Sequence, residues 1–154
     1  MTTFTLLSND FADNNNIPID CTCDGSSRMP AFSWSGQPTG TQSYVFLCED
    51  PDAPGKTWIH CVLFNIPASM HSIESYAQIT ASGALIGKND SNAPLWGAPC
   101  PPPTHGAHHY ICSLYALDTK LLLSVGATYA EVTQAMNGHV LASAKIVGLY
   151  KRKQ

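Results

Sequence analysis

The sequence predicts an all-β core with a single C-terminal helix. Strand-like runs recur along most of the chain, rich in Val, Ile, Leu, Phe and Tyr and bounded by Gly, Pro, Asn and Asp. Only one segment, late in the chain, carries a full helical signature, and strands with one late helix argue for a β core. At 154 residues without repeat, low-complexity tract or linker, the chain is expected to form one domain, 1–154. That length buries about 70% of the surface the unfolded chain exposes, so no metal or disulfide staple is required.

The expected strands are Thr3–Leu7, Ser43–Glu49, Thr57–Asn65, Ile79–Gly87, His108–Leu117 and Lys145–Tyr150. Several are almost continuously apolar, which suggests a sheet covered on both faces. Ser69–Tyr76 reads as a weaker helical turn. Lys88–Ala107 has no periodicity, and a loop that long in a compact domain is usually functional. Its Pro99-Cys-Pro-Pro-Pro103 run is stiff, because each ring fixes φ and removes a donor. In the helix, Thr128-Tyr-Ala-Glu131 reads as a capping box. Tyr129, Val132, Met136 and Val140 then repeat at steps of three and four along one apolar face.

Charged residues make up only 12% of the chain, and 8 Lys+Arg against 11 Asp+Glu give a net charge of −3. No basic stripe suggests nucleic-acid binding. Lys151, Arg152 and Lys153 crowd the last four positions, while Lys88 is the only Lys or Arg between Thr57 and Thr119. An anion site in the middle of the chain must therefore use histidine, hydroxyls and backbone N–H groups. The first ten residues lack the basic start of a signal peptide, and no apolar run approaches the ~20 residues that span a bilayer. A soluble, cytoplasmic protein is expected, with peripheral membrane contact at most. Low surface charge leaves apolar patches for association, so a homodimer stays open.

Cys48, Cys61 and Cys112 lie in apolar runs, where a thiol behaves as a small buried hydrophobe. Cys21-Thr-Cys23 has no second Cys pair at zinc-ribbon spacing. Reduced, structural cysteines are expected in a cytosolic setting, with Cys23 and Cys100 the one pair to examine.

Three segments can carry chemistry. In Asp50-Pro-Asp52-Ala-Pro54 the prolines hold the chain extended, so one carboxylate can enter a cleft while the other caps turn N–H groups; Asp-Pro pairs also simply stabilise turns. Trp58 and His60 alternate along a strand and share a face, as do His108 and Tyr110. If the two strands are neighbours, all four face one cavity; a lone His on an apolar strand is otherwise an ordinary core residue. His109 is expected on the opposite face, and His71, His105 and His139 in loops or on the surface. One Asp and two His fit three chemistries: anion binding with Asp orienting an imidazole, a two-His, one-carboxylate metal site, or acid–base catalysis. No nucleophile elbow or phosphate-cradling Gly-Lys loop accompanies them.

Taken in order, Thr22-Cys-Asp-Gly25, Trp34, Asp50-Pro-Asp-Ala-Pro54, Trp58-Ile-His60, Asn65-Ile-Pro67, Gly87-Lys-Asn-Asp90, Gly97-Ala-Pro-Cys-Pro-Pro102, His108-His-Tyr110 and Tyr115-Ala-Leu-Asp118 resemble the phosphatidylethanolamine-binding protein family. The closer likeness is to its short bacterial, Raf-kinase-inhibitor-like branch, and it covers nearly the whole chain. The chain departs from the pattern at Ser91-Asn-Ala-Pro94, where the family usually has Phe-Gly, at Cys61, commonly Trp, and at Met29-Pro-Ala-Phe32.

The resemblance implies two antiparallel sheets and a small surface cavity for phosphate-like anions and phospholipid head groups of the phosphoethanolamine type. Its residues would be Asp50, Asp52, Trp58, His60, Gly97, Pro99, Pro101, His108 and Tyr110, with Ala53–Pro54 as a cis peptide. It further implies a binding protein that inhibits or regulates a kinase or peptidase partner, with no catalytic residue, metal or cofactor assigned. Asp50 would keep His60 or His108 protonated through a charge-assisted bond. The rival reading is a metal-dependent hydrolase or lyase using Asp50, His60 and His108.

Overall fold

The structure is a computed structural model that describes residues 3–153; both ends of the expected 1–154 domain lie outside them. The strands are β1 (Thr5–Ser8), β2 (Asn15–Asn16), β3 (Phe32–Ser35), β4 (Ser43–Asp50), β5 (Trp58–Pro67), β6 (Ser72–Ile73), β7 (Leu85–Ile86), β8 (His108–Leu117) and β9 (Val140–Tyr150). Two helices, α1 (Tyr76–Ser82) and α2 (Tyr129–Met136), accompany them. The strands form a three-stranded sheet, β1-β3-β6, and a six-stranded sheet, β2-β9-β8-β4-β5-β7. All pairings are antiparallel except β2 with β9.

The apolar runs are covered on both faces, as their composition predicts. Along β4, Tyr44, Phe46 and Cys48 point toward the small sheet and join a core with Leu6, Phe32 and Trp34. Val45 and Leu47 point the other way and pack with Phe64, Leu121, Val132 and Met136 beneath α2. The α2 capping box forms as read: Thr128 Oγ1 accepts the Glu131 N–H at 3.1 Å, and Glu131 accepts the Thr128 N–H at 3.1 Å.

Three local expectations are corrected. The strand read at Ile79–Gly87 opens as the second half of helix α1, which Ser75 caps by accepting the Gln78 N–H and Gly83 ends at φ +90°, and only Leu85–Ile86 within it pair as β7. The helical turn read at Ser69–Tyr76 is displaced accordingly, and β6 lies within that stretch. Helix α2 stops at Met136, because Gly138 at φ +84° reverses the chain and Val140 opens β9 rather than extending the helical face. Among the described residues no helix is long and apolar enough to cross a membrane.

A β-bulge prepares the functional end of the large sheet. Cys61 pairs with Cys48 and Ile59 pairs with Glu49, so His60 stands opposite no residue of β4. Above the bulge, Cys61 and Leu63 face the small sheet; below it, the extra residue shifts the alternation, and His60 and Trp58 take that side.

Candidate anion-binding cavity

At this end of the sheet lies a cavity of about 290 Å³, lined by Asp50 from the end of β4, Trp58 and His60 from β5, and His108 and Tyr110 from β8. Strands β5 and β8 are not neighbours; β4 runs between them and inserts Asp50 between the two histidines. The proline loop supplies Ala98, Cys100, Pro101 and Pro102, and Ala53, Pro54 and Ser91 complete the lining. No Lys or Arg lines it, in keeping with the charge distribution along the chain.

Each polar side chain is oriented by a partner. Buried Asp50 accepts the Asp52 N–H at 2.8 Å through one oxygen and the His108 Nδ1–H at 2.7 Å through the other. A single carboxylate thus closes the turn and sets the imidazole's tautomer. His60 Nδ1 donates to the Gly97 carbonyl at 2.5 Å, and the Gly97 N–H returns a bond to the His60 carbonyl at 2.7 Å. Trp58 Nε1 donates to Ser91 Oγ at 3.1 Å. Ser91 is in turn set by Asn89, whose buried side chain accepts the Ser91 and Ala93 N–H groups.

Two polar atoms are left over. His60 Nε2 and the Tyr110 hydroxyl are buried and have no hydrogen-bond partner among the described residues. Their rings meet edge-to-face with centroids 5.2 Å apart. Burial pushes the His60 imidazole below its ordinary pKa, against the opposing pull of the Gly97 bond. Burial likewise pushes the Tyr110 phenol far up, so it stays a hydroxyl. Buried polar groups left unpaired cost about 1–3 kcal/mol each, which a polar ligand can relieve.

Six of the nine expected residues line the cavity: Asp50, Trp58, His60, Pro101, His108 and Tyr110. The other three act behind it or beside it. Asp52 is exposed and accepts both the backbone N–H and Nδ1–H of His109 at 2.8 and 2.7 Å; the bond to the His109 ring holds its carboxyl below the usual range. Gly97 stands behind His60, and the Pro99 carbonyl accepts the Cys23 N–H at 3.1 Å. His109 takes the opposite face as expected, but His105 is not a bystander, since its Nδ1 lies 3.0 Å from His108 Nε2. Ser91, Cys100 and Pro102 belong to the long loop read as functional, yet no spacing rule singled them out.

Two more expectations are corrected here. No peptide bond among the described residues is cis, so Ala53–Pro54 is trans; the Asp50 side chain and Gly55 at φ +83° close the turn instead. Four cysteines are free and buried, but Cys23 and Cys100 form a disulfide. The Cys23–Pro99 backbone bond brings their Cα atoms to 5.4 Å, within bonding range. Among the described residues, no three His, Cys, Asp or Glu side chains are grouped to share a metal ion. Asp50, His60 and His108 therefore do not form the metal triad that their types allow.

The family model for phosphatidylethanolamine-binding protein matches residues 7–151. A UPF0098 protein of Methanothermobacter thermautotrophicus is 44% identical over 150 residues, covering 96% of this chain and 98% of that one. The crystal structure of CT736 from Chlamydia trachomatis, described as a homolog of phosphatidylethanolamine-binding protein, superposes with a TM-score of 0.90. It is 30% identical over 99% of this chain and 100% of its own. Escherichia coli YbcL, described as a member of the mammalian family, superposes at 0.89 with 31% identity over 97% and 99%.

Proposed function

The chain belongs to the phosphatidylethanolamine-binding protein family, and from that premise we propose that it binds phosphate-like anions and phospholipid head groups of the phosphoethanolamine type. The observation that carries this reading is the pair of buried, unpartnered polar atoms, His60 Nε2 and the Tyr110 hydroxyl, on residues that line one cavity. A phosphate oxygen can accept from the phenol, and it can accept from Nε2 once the imidazole carries its second proton. The volume of about 290 Å³ suits a head group rather than an acyl chain. Trp58 and Pro54, Pro101 and Pro102 supply the apolar lining usual in small-ligand pockets.

A non-catalytic role is supported by how the ionisable groups are engaged. Asp50 is occupied by His108, and His60 Nδ1 by Gly97. Occupancy of the cavity would then regulate or inhibit a protein partner of the kinase or peptidase class.

The test is an NMR titration of the six histidine ring signals with phosphoethanolamine, with and without a chelator. The His60 and His108 signals are expected to shift together, independently of chelator. A response confined to metal-loaded protein, or undiminished binding by His60→Ala, would overturn the reading.

A further inference from the structure

We infer that the Cys23–Cys100 disulfide sets ligand affinity at this cavity, making the anion site responsive to the thiol redox state around it; the inference rests on the anion-binding reading above. Cys100 is both half of the disulfide and part of the cavity lining, directly before Pro101 and Pro102. The other half sits on an anchored segment. Thr22 Oγ1 donates to the Ile19 carbonyl at 2.7 Å, and Asp24 accepts bonds from Tyr150 and Arg152. Gly25 packs so closely on Ile19 and Asp20 that no Cβ would fit there.

The proline loop has few other attachments at this point. Trp96 Nε1 donates to the Cys21 carbonyl at 2.9 Å, and the Cys23 N–H donates to Pro99 at 3.1 Å. Beyond Cys100, Pro101, Pro102 and Pro103 have no N–H to give. Among the described residues the next polar attachments are the His105 N–H to Pro102, inside the same loop, and the His105–His108 ring contact. The disulfide is thus the tether nearest the part of the lining formed by Pro101 and Pro102. Cys100 is exposed and Cys23 half-buried, so a reagent in solution can reach the bond.

The exchange balances with a thiol of the glutathione class as reductant. One thiolate attacks a sulfur of the pair, forming a mixed disulfide and releasing the other cysteine as a thiol. A second thiolate attacks the reagent sulfur of the mixed disulfide and expels the cysteine still bound to it, leaving two protein thiols and one oxidised reagent. Once cut, the loop after Pro99 must be ordered by each ligand that binds, and that cost is subtracted from affinity. The disulfide state couples to the cavity because His105, which contacts His108, lies on the same released segment.

The experiment is calorimetric titration of phosphoethanolamine into three proteins: oxidised wild type, wild type reduced by a dithiol with its free thiols counted, and Cys100→Ser. Affinity is expected to fall roughly tenfold on reduction. Reoxidation should restore it, and Cys100→Ser should match the reduced protein and ignore added thiol. Equal affinities within twofold, with near-UV circular dichroism unchanged, would overturn the inference and leave the disulfide a stabilising staple only. No binding by the oxidised protein would instead overturn the anion-binding reading, and this inference with it. Should Cys100→Ser fail to fold, the reduced wild type carries the same comparison.

Discussion

His105 Nδ1 lies 3.0 Å from His108 Nε2, so the histidine that Asp50 holds through one ring nitrogen is engaged through the other as well. Two imidazoles share a hydrogen bond only when one gives a proton and the other a lone pair. An anion that seeks a donor at His108 must therefore displace His105 or be completed by it.

Replacing His105 by Ala separates these two cases. If His105 competes with the ligand, its removal frees His108 Nε2 and phosphoethanolamine binds more tightly. The gain should be about three- to tenfold, the worth of one hydrogen bond of ordinary net strength. Calorimetry reads it directly, and weaker binding would make His105 a ligand contact instead.

His60 ties binding to proton uptake. With Nδ1–H given to Gly97, the neutral ring offers a lone pair at Nε2, and only the protonated ring offers a donor there. Burial holds the unliganded imidazole below its ordinary value of 6.5, so the free protein favours the neutral form. Sulfate cannot donate, so it must bind together with a proton and raise the His60 pKa. Sulfate affinity should rise as pH falls from the raised pKa of the sulfate-bound protein toward the lowered pKa of the free protein, by up to about tenfold per unit, and level off beneath it. Titration in buffers of differing ionisation enthalpy should show proton uptake, and His60→Gln should abolish it. Folding carries the opposite sign: the unfolded chain takes up the proton first as pH falls through 6.5, so the His60 contribution to stability is full above that pH and declines below it.

Gly97→Ala tests the clasp behind His60. A Cβ there would sit 2.7 Å from Ser91 Oγ and 3.1 Å from the His60 carbonyl oxygen. Ser91 must yield, and with it the bond that orients Trp58. Such overpacking costs about 1–3 kcal/mol, measurable by urea unfolding. Anion affinity should fall with it, and Trp fluorescence should lose its response to ligand. Unchanged binding would show that the clasp does not orient the cavity.

Much of this was legible because it is local. Continuous apolar runs need cover on both faces wherever the chain folds, and β4 shows that cover residue by residue. The capping box is satisfied within four residues, so Thr128 and Glu131 could be read without knowing their surroundings. Helix α1 was missed because Ile79–Gly87 is apolar enough for a strand, and the cap at Ser75 and the left-handed Gly83 prevailed over that composition.

The residue types open to the cavity follow from composition alone: with Lys88 the only cation between Thr57 and Thr119, histidine and hydroxyl groups had to serve. The sequence also placed Trp58 with His60 and His108 with Tyr110, since alternation along a strand is a property of the backbone. What these groups meet depends on contacts between distant segments. The insertion of β4 puts Asp50 between the two histidines, and the bulge at His60 turns its ring toward Gly97. Packing of residues 19–25 against the proline loop brings Cys23 to Cys100 across 77 positions of chain. Contacts between distant segments depend on register and loop closure, and neither leaves a periodic trace in the residues that make them.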